Sequence, residues 1–294
     1  MQRPAPSGPP PAPVAQRLVI RYAKRGRMRF ASHRDIARAV ERGVRKAGLP
    51  VAYSAGFSPH PKISYSGGAT TGTASEAEYL EISLTGACAA AEVRDRLDAA
   101  LPDGIDVTEV FDLADATDGL ALEASEWRVV LPGVGPGDAA RAVQAFLAAD
   151  SAPVDRLTSK GTRRLDTRPA VLELELDRRA GEEQDAGCAI LRMVVRHMTP
   201  AVRPDDILAA LGHLAALAPS SPPLVTRLAQ GPIGMAPAAA GINVPGSPGS
   251  AGSSGLAGPS GPVPPAAVAP SPSGLSATQG QEKATRREAE ASQR

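Results

Sequence analysis

The sequence predicts an α+β fold: two tandem ferredoxin-like sandwiches of βαββαβ order, flanked by disordered N- and C-terminal segments. Three observations lead there. In the first half, short runs of alternating apolar residues and longer runs with helical spacing follow one another as strand, helix, strand, strand, helix, strand. The second half repeats that order less regularly. Both ends of the 294-residue chain are so rich in Gly, Pro, Ala and Ser that burial cannot offset the entropy of ordering them. The expected divisions are 1–15 disordered, 16–115 and 124–231 as the two folded halves, and 232–294 as a disordered tail.

The elements follow in order. "RLVIRYAK" alternates Leu18, Ile20 and Tyr22 against Arg17, Val19 and Arg21, a strand with one apolar face. "SHRDIARAVERGVRKAG" reads as a helix with Ser32 as N-cap and Asp35 three residues on, closed by Gly48 and Pro50. Ile36, Val40, Val44 and Ala47 form its inner stripe. At about 100° per residue, Arg34, Arg38, Arg42 and Arg45 fall on the opposite side. "KISYS" and "EYLEISLT" are strands, Ala89 to Leu101 a helix stopped by "PDG", and "IDVTEVFDL" a fourth strand. In the second half "WRVVLPG", "PVDRLTS", "AVLELEL", "CAILRMVVR" and "PPLVTRLA" are strand candidates. "GDAARAVQAFLAA" and "RPDDILAALGHL" are helices.

The formal net charge is +1, yet the charge is not evenly spread. Residues 17–46 hold eleven Lys and Arg against Asp35 and Glu41; residues 76–126 hold fourteen Asp and Glu against Arg94 and Arg96. Such polarity bears on partners rather than fold. Its densest part is "KRGRMRFASHR", residues 24–34. The functional reading is phosphate contact with RNA through Lys24, Arg25, Arg27, Arg29, His33, Arg34, Arg38 and Arg42. The plainer reading is a solvated face, or a basic segment that meets the acidic one inside the fold.

The loop "GFSPHPKISYS" carries two prolines that hold their neighbours extended. It presents His60 and Lys62 as further nucleic-acid contacts, with Phe57 or Tyr65 available for stacking on a base; alternatively Phe57 caps a core. His33 and His60 could act as an acid/base pair if they met in space. "RLTSKGTRRLDTR", residues 156–168, reads as an exposed basic hairpin or as an extension of an RNA path. Glu78 could anchor an arginine of the basic segment.

Several classes are disfavoured. Cys88 and Cys188 form no CxxC pair and no CxxxCxxC cluster motif, a usage that suits a reducing cytoplasm. The histidines lack metal-ligand spacing, so no metal and no cofactor is expected. No GxxxxGK[ST], no GxGxxG opening a helix and no GxSxG is present. No apolar run reaches the length of a membrane span, so no membrane association is expected.

The run "RFASHRDIARAVERGVRKAGLPVAYSAGFSPHPKISYS…TGTASEAEYLEI" resembles the radical SAM-linked domain family, a bacterial family of unknown function. The matching marks are Lys24, Phe30, Ser32-His33, Asp35, Arg42, Arg45, Ser54, Gly56-Phe57, Pro59-His60-Pro61-Lys62, Gly72, Ser75 and Glu78-Tyr79. Ser58 stands where the pattern has Asn, and Arg34 where it has an apolar residue. The resemblance covers about 17–231. It implies association with radical SAM chemistry performed by a separate polypeptide. A weaker architectural similarity, in paired ferredoxin-like folds and the "GF-x-P-x-P" loop, is to the CRISPR repeat-processing endoribonucleases, and it implies RNA.

The expected function is therefore a non-catalytic RNA-binding or substrate-presenting module acting with a radical SAM enzyme in RNA modification or maturation. The RNA expected is transfer or ribosomal RNA. The alternatives are a protein adaptor that docks that enzyme and a metal-independent endoribonuclease.

Overall fold

The first strand, β1 (Gln16–Lys24), is buried on both sides at Leu18, Val19 and Ile20, although the face of Val19 also carries Arg17 and Arg21. Leu18, Ile20 and Tyr22 face two helices. Val19 faces the other way, against Ala77, Tyr79, Phe111 and Leu122. This computed structural model describes residues 11–115, 120–159, 161–177 and 188–233, all within one unit of the chain, 1–249. The expected disordered ends lie almost wholly outside the described residues.

A 3-10 turn (Gly26–Phe30) leads to α1 (His33–Lys46). The helix starts where the sequence says it should. The Ser32 hydroxyl accepts from the Asp35 amide at 3.2 Å, and the Asp35 carboxylate accepts from the Ser32 amide at 3.3 Å. Such a capping box stabilises a helix start by about 1 kcal/mol. Ile36, Val40 and Val44 are buried. Gly43 lies where α1 meets the second helix: a Cβ there would stand 2.8 Å from Leu101 Cδ2.

The remaining elements of this half are β2 (Ile63–Ser66), β3 (Ala74–Leu84), α2 (Ala90–Ala100) and β4 (Ile105–Asp112). Then come β5 (Ala124–Pro132), α3 (Pro136–Ala148), β6 (Pro153–Thr158), β7 (Gly161–Asp166), β8 (Val171–Leu176), β9 (Cys188–Arg196), α4 (Pro204–Ala215) and β10 (Leu224–Gly231). The fold is α+β with four helices among the described residues and a mixed sheet of order β4-β1-β3-β10-β5-β9-β8, with β2 also paired to β3. All neighbours are antiparallel except β3 and β10. One core packs β1 and β3 against α1 and α2; the other packs β5, β8 and β9 against α3 and α4 around Phe146.

The hairpin read at residues 156–168 is present, but the "PVDRLTS" strand does not join the main sheet. It is β6, and it pairs only with β7, in a hairpin off the main sheet. The alternation of "RLTSKGTRRLD" serves a two-stranded ribbon, whose Arg163 and Arg164 are exposed. Arg156 is spent inside the fold. Its guanidinium donates to Asp206 at 2.8 Å and ties the hairpin to the first turn of α4.

The two halves join along one edge of β3. Its later residues, Tyr79–Ile82, pair with β2; its first two, Ala74 and Ser75, pair with β10. Gln230 of β10 donates to the Ala77 carbonyl across that seam. Nearby, the His197 ring bridges Ser125 Oγ at 2.6 Å and the Leu122 carbonyl at 2.7 Å. The neutral ring fits both: Nδ1–H donates to the carbonyl, and Nε2 accepts from the hydroxyl.

Burial lowers the His197 pKa below its ordinary 6.5, Arg227 adds to the lowering, and the Leu122 bond opposes it. The unfolded chain therefore binds a proton here more readily than the folded one. Stability drops as pH falls from 6.5 toward the lowered value. Unfolding midpoints in urea across pH 7.5 to 5 should show this, and His197→Gln should flatten that part of the profile. An unchanged profile in His197→Gln would assign the acid sensitivity elsewhere.

Candidate functional site: a cationic helix face beside a polar seam

Two features emerge from the residues around α1. The first is its outer face. Arg34, Arg38, Arg42 and Arg45 are exposed, and among the described residues none has an acidic partner within 4 Å. The helical period alone places them there, since the apolar stripe fixes which side is in.

The chain has nine aromatic residues, and three of them are exposed: Phe30 (62%), Tyr53 (40%) and Phe57 (74%). All three fall between residues 30 and 57, in the same part of the sequence as the arginines. Phe57 therefore caps no core. It stands at the tip of a loop pinned at its base, where the Ser54 amide donates to the His60 carbonyl at 2.8 Å and the His60 amide to Ser54 Oγ at 3.0 Å. Tyr65 is not available in the same way. Its ring lies edge-on to His33, at 5.0 Å between centroids, and its hydroxyl is buried without a hydrogen-bond partner among the described residues.

The basic residues read from the sequence divide into two groups. Arg27, His33, Arg34, Arg38, Arg42, His60 and Lys62 are exposed, and Arg29 is half-buried with its guanidinium 4.8 Å from the Phe30 ring. Arg25 is exposed but held by carboxylates, and Lys24 is buried. Arg25 donates to Glu76 at 2.8 Å and to Asp106 at 3.2 Å. Arg21, on β1, meets Glu109 at 3.9 Å. The basic and acidic segments thus meet in part within the sheet, because β1 lies between the acid-rich β3 and β4. Much of the charge left facing outward belongs to α1, with Arg27 and Lys62 outside it. His33 and His60 share no hydrogen bond or ring contact among the described residues.

The second feature is the seam itself. Lys24 is 3% exposed, Glu78 4% and Arg227 2%. Glu78 pairs with Arg227 at 3.2 Å, not with an arginine of the basic segment. It also accepts from the Ala69 amide at 3.0 Å. Lys24 Nζ donates to the carbonyls of Ala69 and Thr70, each at 3.2 Å, and Arg227 donates to the Gly67 carbonyl while lying 4.9 Å from the Trp127 ring. Burial lowers the pKa of Lys24, partly offset by Glu78. Burial likewise raises that of the Tyr22 hydroxyl, and Glu78 adds to the raising.

These groups hold the loop 67–73 over a cavity of about 410 Å³ lined by Tyr22, Lys24, His33, Ile36, Glu78 and the loop. Arg227 is the member that sequence reasoning missed. The available signal was an arginine inside the apolar run "PPLVTRLAQG", which demands a buried partner. Among the described residues, no group of three or more His, Cys, Asp or Glu could hold a metal, and no helix is long and apolar enough to cross a membrane.

A mixed sheet with a polar seam cavity beside a cationic helix face defines an α+β protein built around the first helix and the start of β3. The chain belongs to a bacterial family described as uncharacterized protein conserved in bacteria (DUF2344), which matches residues 17–204. No curated protein matches it. A chain from the crystal structure of a Cbf5-Nop10-Gar1 complex is similar over 72% of this chain at 13% identity and a TM-score of 0.39. This chain spans about half of that one, 48% of its length. A likeness of that size bears on neither fold nor function.

Proposed function

We propose that this protein is a non-catalytic RNA-binding or substrate-presenting module that works with a separate radical SAM enzyme in RNA modification or maturation. The observation that carries the RNA reading is the outer face of α1, with its four exposed arginines unpaired among the described residues and with exposed aromatics in the adjoining turn and loop. Phosphates attract the guanidinium groups, and unstacked bases have Phe30 and Phe57 to stack on. The radical SAM partner rests on the sequence resemblance around Lys24, His33 and "GFSPHPK". The module would be cytoplasmic, in keeping with the free thiols of Cys88 and Cys188.

We read the architecture as a tandem pair of ferredoxin-like sandwiches joined through β3 and β10. Strand orders β4-β1-β3-β2 and β10-β5-β9-β8 support that reading, with the β6–β7 hairpin as an insertion in the second.

The test is purification of the tagged chain from cells, with and without nuclease. RNA should co-purify, and any radical SAM enzyme recovered should be lost when the RNA is digested. Retention of that enzyme after digestion, with no RNA in the untreated sample, would favour a protein adaptor instead. Long incubation with the recovered RNA should leave its length unchanged. Cleavage by wild type but not by His60→Ala would contradict the non-catalytic reading.

A further inference from the structure

We infer that the seam cavity is a binding site for a phosphate-bearing nucleotide, either free or as the terminal unit of an RNA lying on α1. The second source rests on the RNA reading above; the first does not.

The argument begins with charge. The buried cluster at the seam holds two cations, Lys24 and Arg227, against one carboxylate, Glu78. The next acidic groups around β1 are committed elsewhere: Glu76 pairs with Arg25, and Glu109 faces Arg21. Asp35 closes the capping box of α1. A buried surplus of one positive charge is costly unless an anion meets it. Lys24 has two of its three donors on loop carbonyls, which leaves one. The amine lines the cavity.

Shape comes next. About 410 Å³ lies within the range of pockets that enclose small ligands. The polar groups that converge on it are of both kinds: Lys24 as a donor, Glu78 as an acceptor, Tyr22 and His33 as either. A nucleotide needs that mixture, with a cation for its phosphate and an acceptor for the amino or imino groups of a base. The wall is held in place before any ligand arrives, because Lys24, Glu78 and Arg227 each bond the backbone of loop 67–73.

Gly68 is the informative member of the loop. Its φ is ordinary, so no turn requires glycine there. A Cβ would meet nothing closer than Glu78 Oε2 at 3.8 Å and His33 Nδ1 at 3.9 Å. Glycine at this position keeps open the space in front of both groups. A larger side chain would fill that space without a clash at its Cβ. Beyond the cavity mouth, His33 is followed directly by Arg34, the first arginine of the exposed stripe. A strand whose terminal unit occupied the cavity would run out onto that face.

The experiment uses the full chain and three probes, adenosine 5′-monophosphate, adenosine and inorganic phosphate, by isothermal titration calorimetry. The monophosphate should bind at least 10-fold more tightly than adenosine. Gly68→Leu should abolish that binding while the thermal melting curve stays cooperative. As a measurement free of any variant's folding, the His33 ring proton should shift on adding the monophosphate to wild-type protein. It is one of four histidines, and His33→Gln identifies its signal.

A short single-stranded RNA with and without a terminal phosphate separates the two sources. Tighter binding of the phosphorylated form, lost in Gly68→Leu, assigns the site to an RNA end; indifference to the terminal phosphate assigns it to the free nucleotide. Absence of monophosphate binding, or binding that leaves the His33 signal and Gly68→Leu unaffected, overturns the inference. Monophosphate binding by a protein that binds no single-stranded RNA keeps the cavity while removing the RNA reading, and RNA binding without monophosphate binding does the reverse, so the two fail separately.

Discussion

Replacing Arg34, Arg38 and Arg42 together with glutamate should weaken RNA binding by at least about 100-fold near 0.1 M salt. Three cations that face solvent become three carboxylates, so phosphate attraction turns to repulsion along one helix face. The fold should survive. All three side chains are exposed, and among the described residues none is engaged in an ion pair. The new carboxylates repel one another at i,i+4 spacing, which costs about 0.2–0.5 kcal/mol per pair. The melting temperature should thus fall by no more than a few degrees. Replacement by alanine should give an intermediate loss of affinity and no loss of stability. Fluorescence anisotropy with labelled RNA, beside thermal melts of the same samples, reads both. An unchanged affinity would move the footprint off α1.

The second large effect concerns stability. Glu78→Gln keeps the shape of the side chain but leaves Lys24 and Arg227 buried without a carboxylate. Breaking a buried pair from one side costs about 3–5 kcal/mol, and this is the expected loss in a urea unfolding curve. Arg227→Met should cost less, because Lys24 remains to face Glu78 and the cluster becomes neutral. The order of the two effects follows from the two-to-one count of charges, and a hydrophobic seam would not produce it. The double variant Glu78→Gln with Arg227→Met should recover part of the loss, a coupling that only residues in contact show. If Glu78→Gln were neutral, the seam would not hold the charges assigned to it.

Much of the first half was legible in the sequence because its signals are local. Ser32 and Asp35 three apart mark a helix start, and a 3.6-residue period separates Ile36, Val40 and Val44 from Arg34, Arg38 and Arg42. Strand alternation located β1, β2 and β4. What escaped was set by pairing between distant residues. The run 156–168 reads as an exposed hairpin, and β6 with β7 is one; nothing local says that this ribbon stands off the main sheet.

The same limit applied to charge. Arg25 belongs to the densest basic run, yet it is taken up by Glu76 and Asp106, 51 and 81 residues away. Glu78 reads in the sequence as an anchor for an arginine, but of the basic segment. Its partner Arg227 lies so far along the chain that only the joining of β3 to β10 brings them together. The cavity follows from that junction, so no single stretch of sequence announces it.

The central claim is that the outward charge of α1 meets a polyanion, and the salt dependence of RNA affinity tests it most directly. For single strands, log K against log salt falls with a slope of about −0.7 per phosphate neutralised. Contacts by Arg34, Arg38, Arg42 and Arg45 therefore predict a slope of about −3 for the wild-type protein. In the triple glutamate variant the slope should collapse. A slope near zero in the wild type, or the same slope in both proteins, would contradict the account.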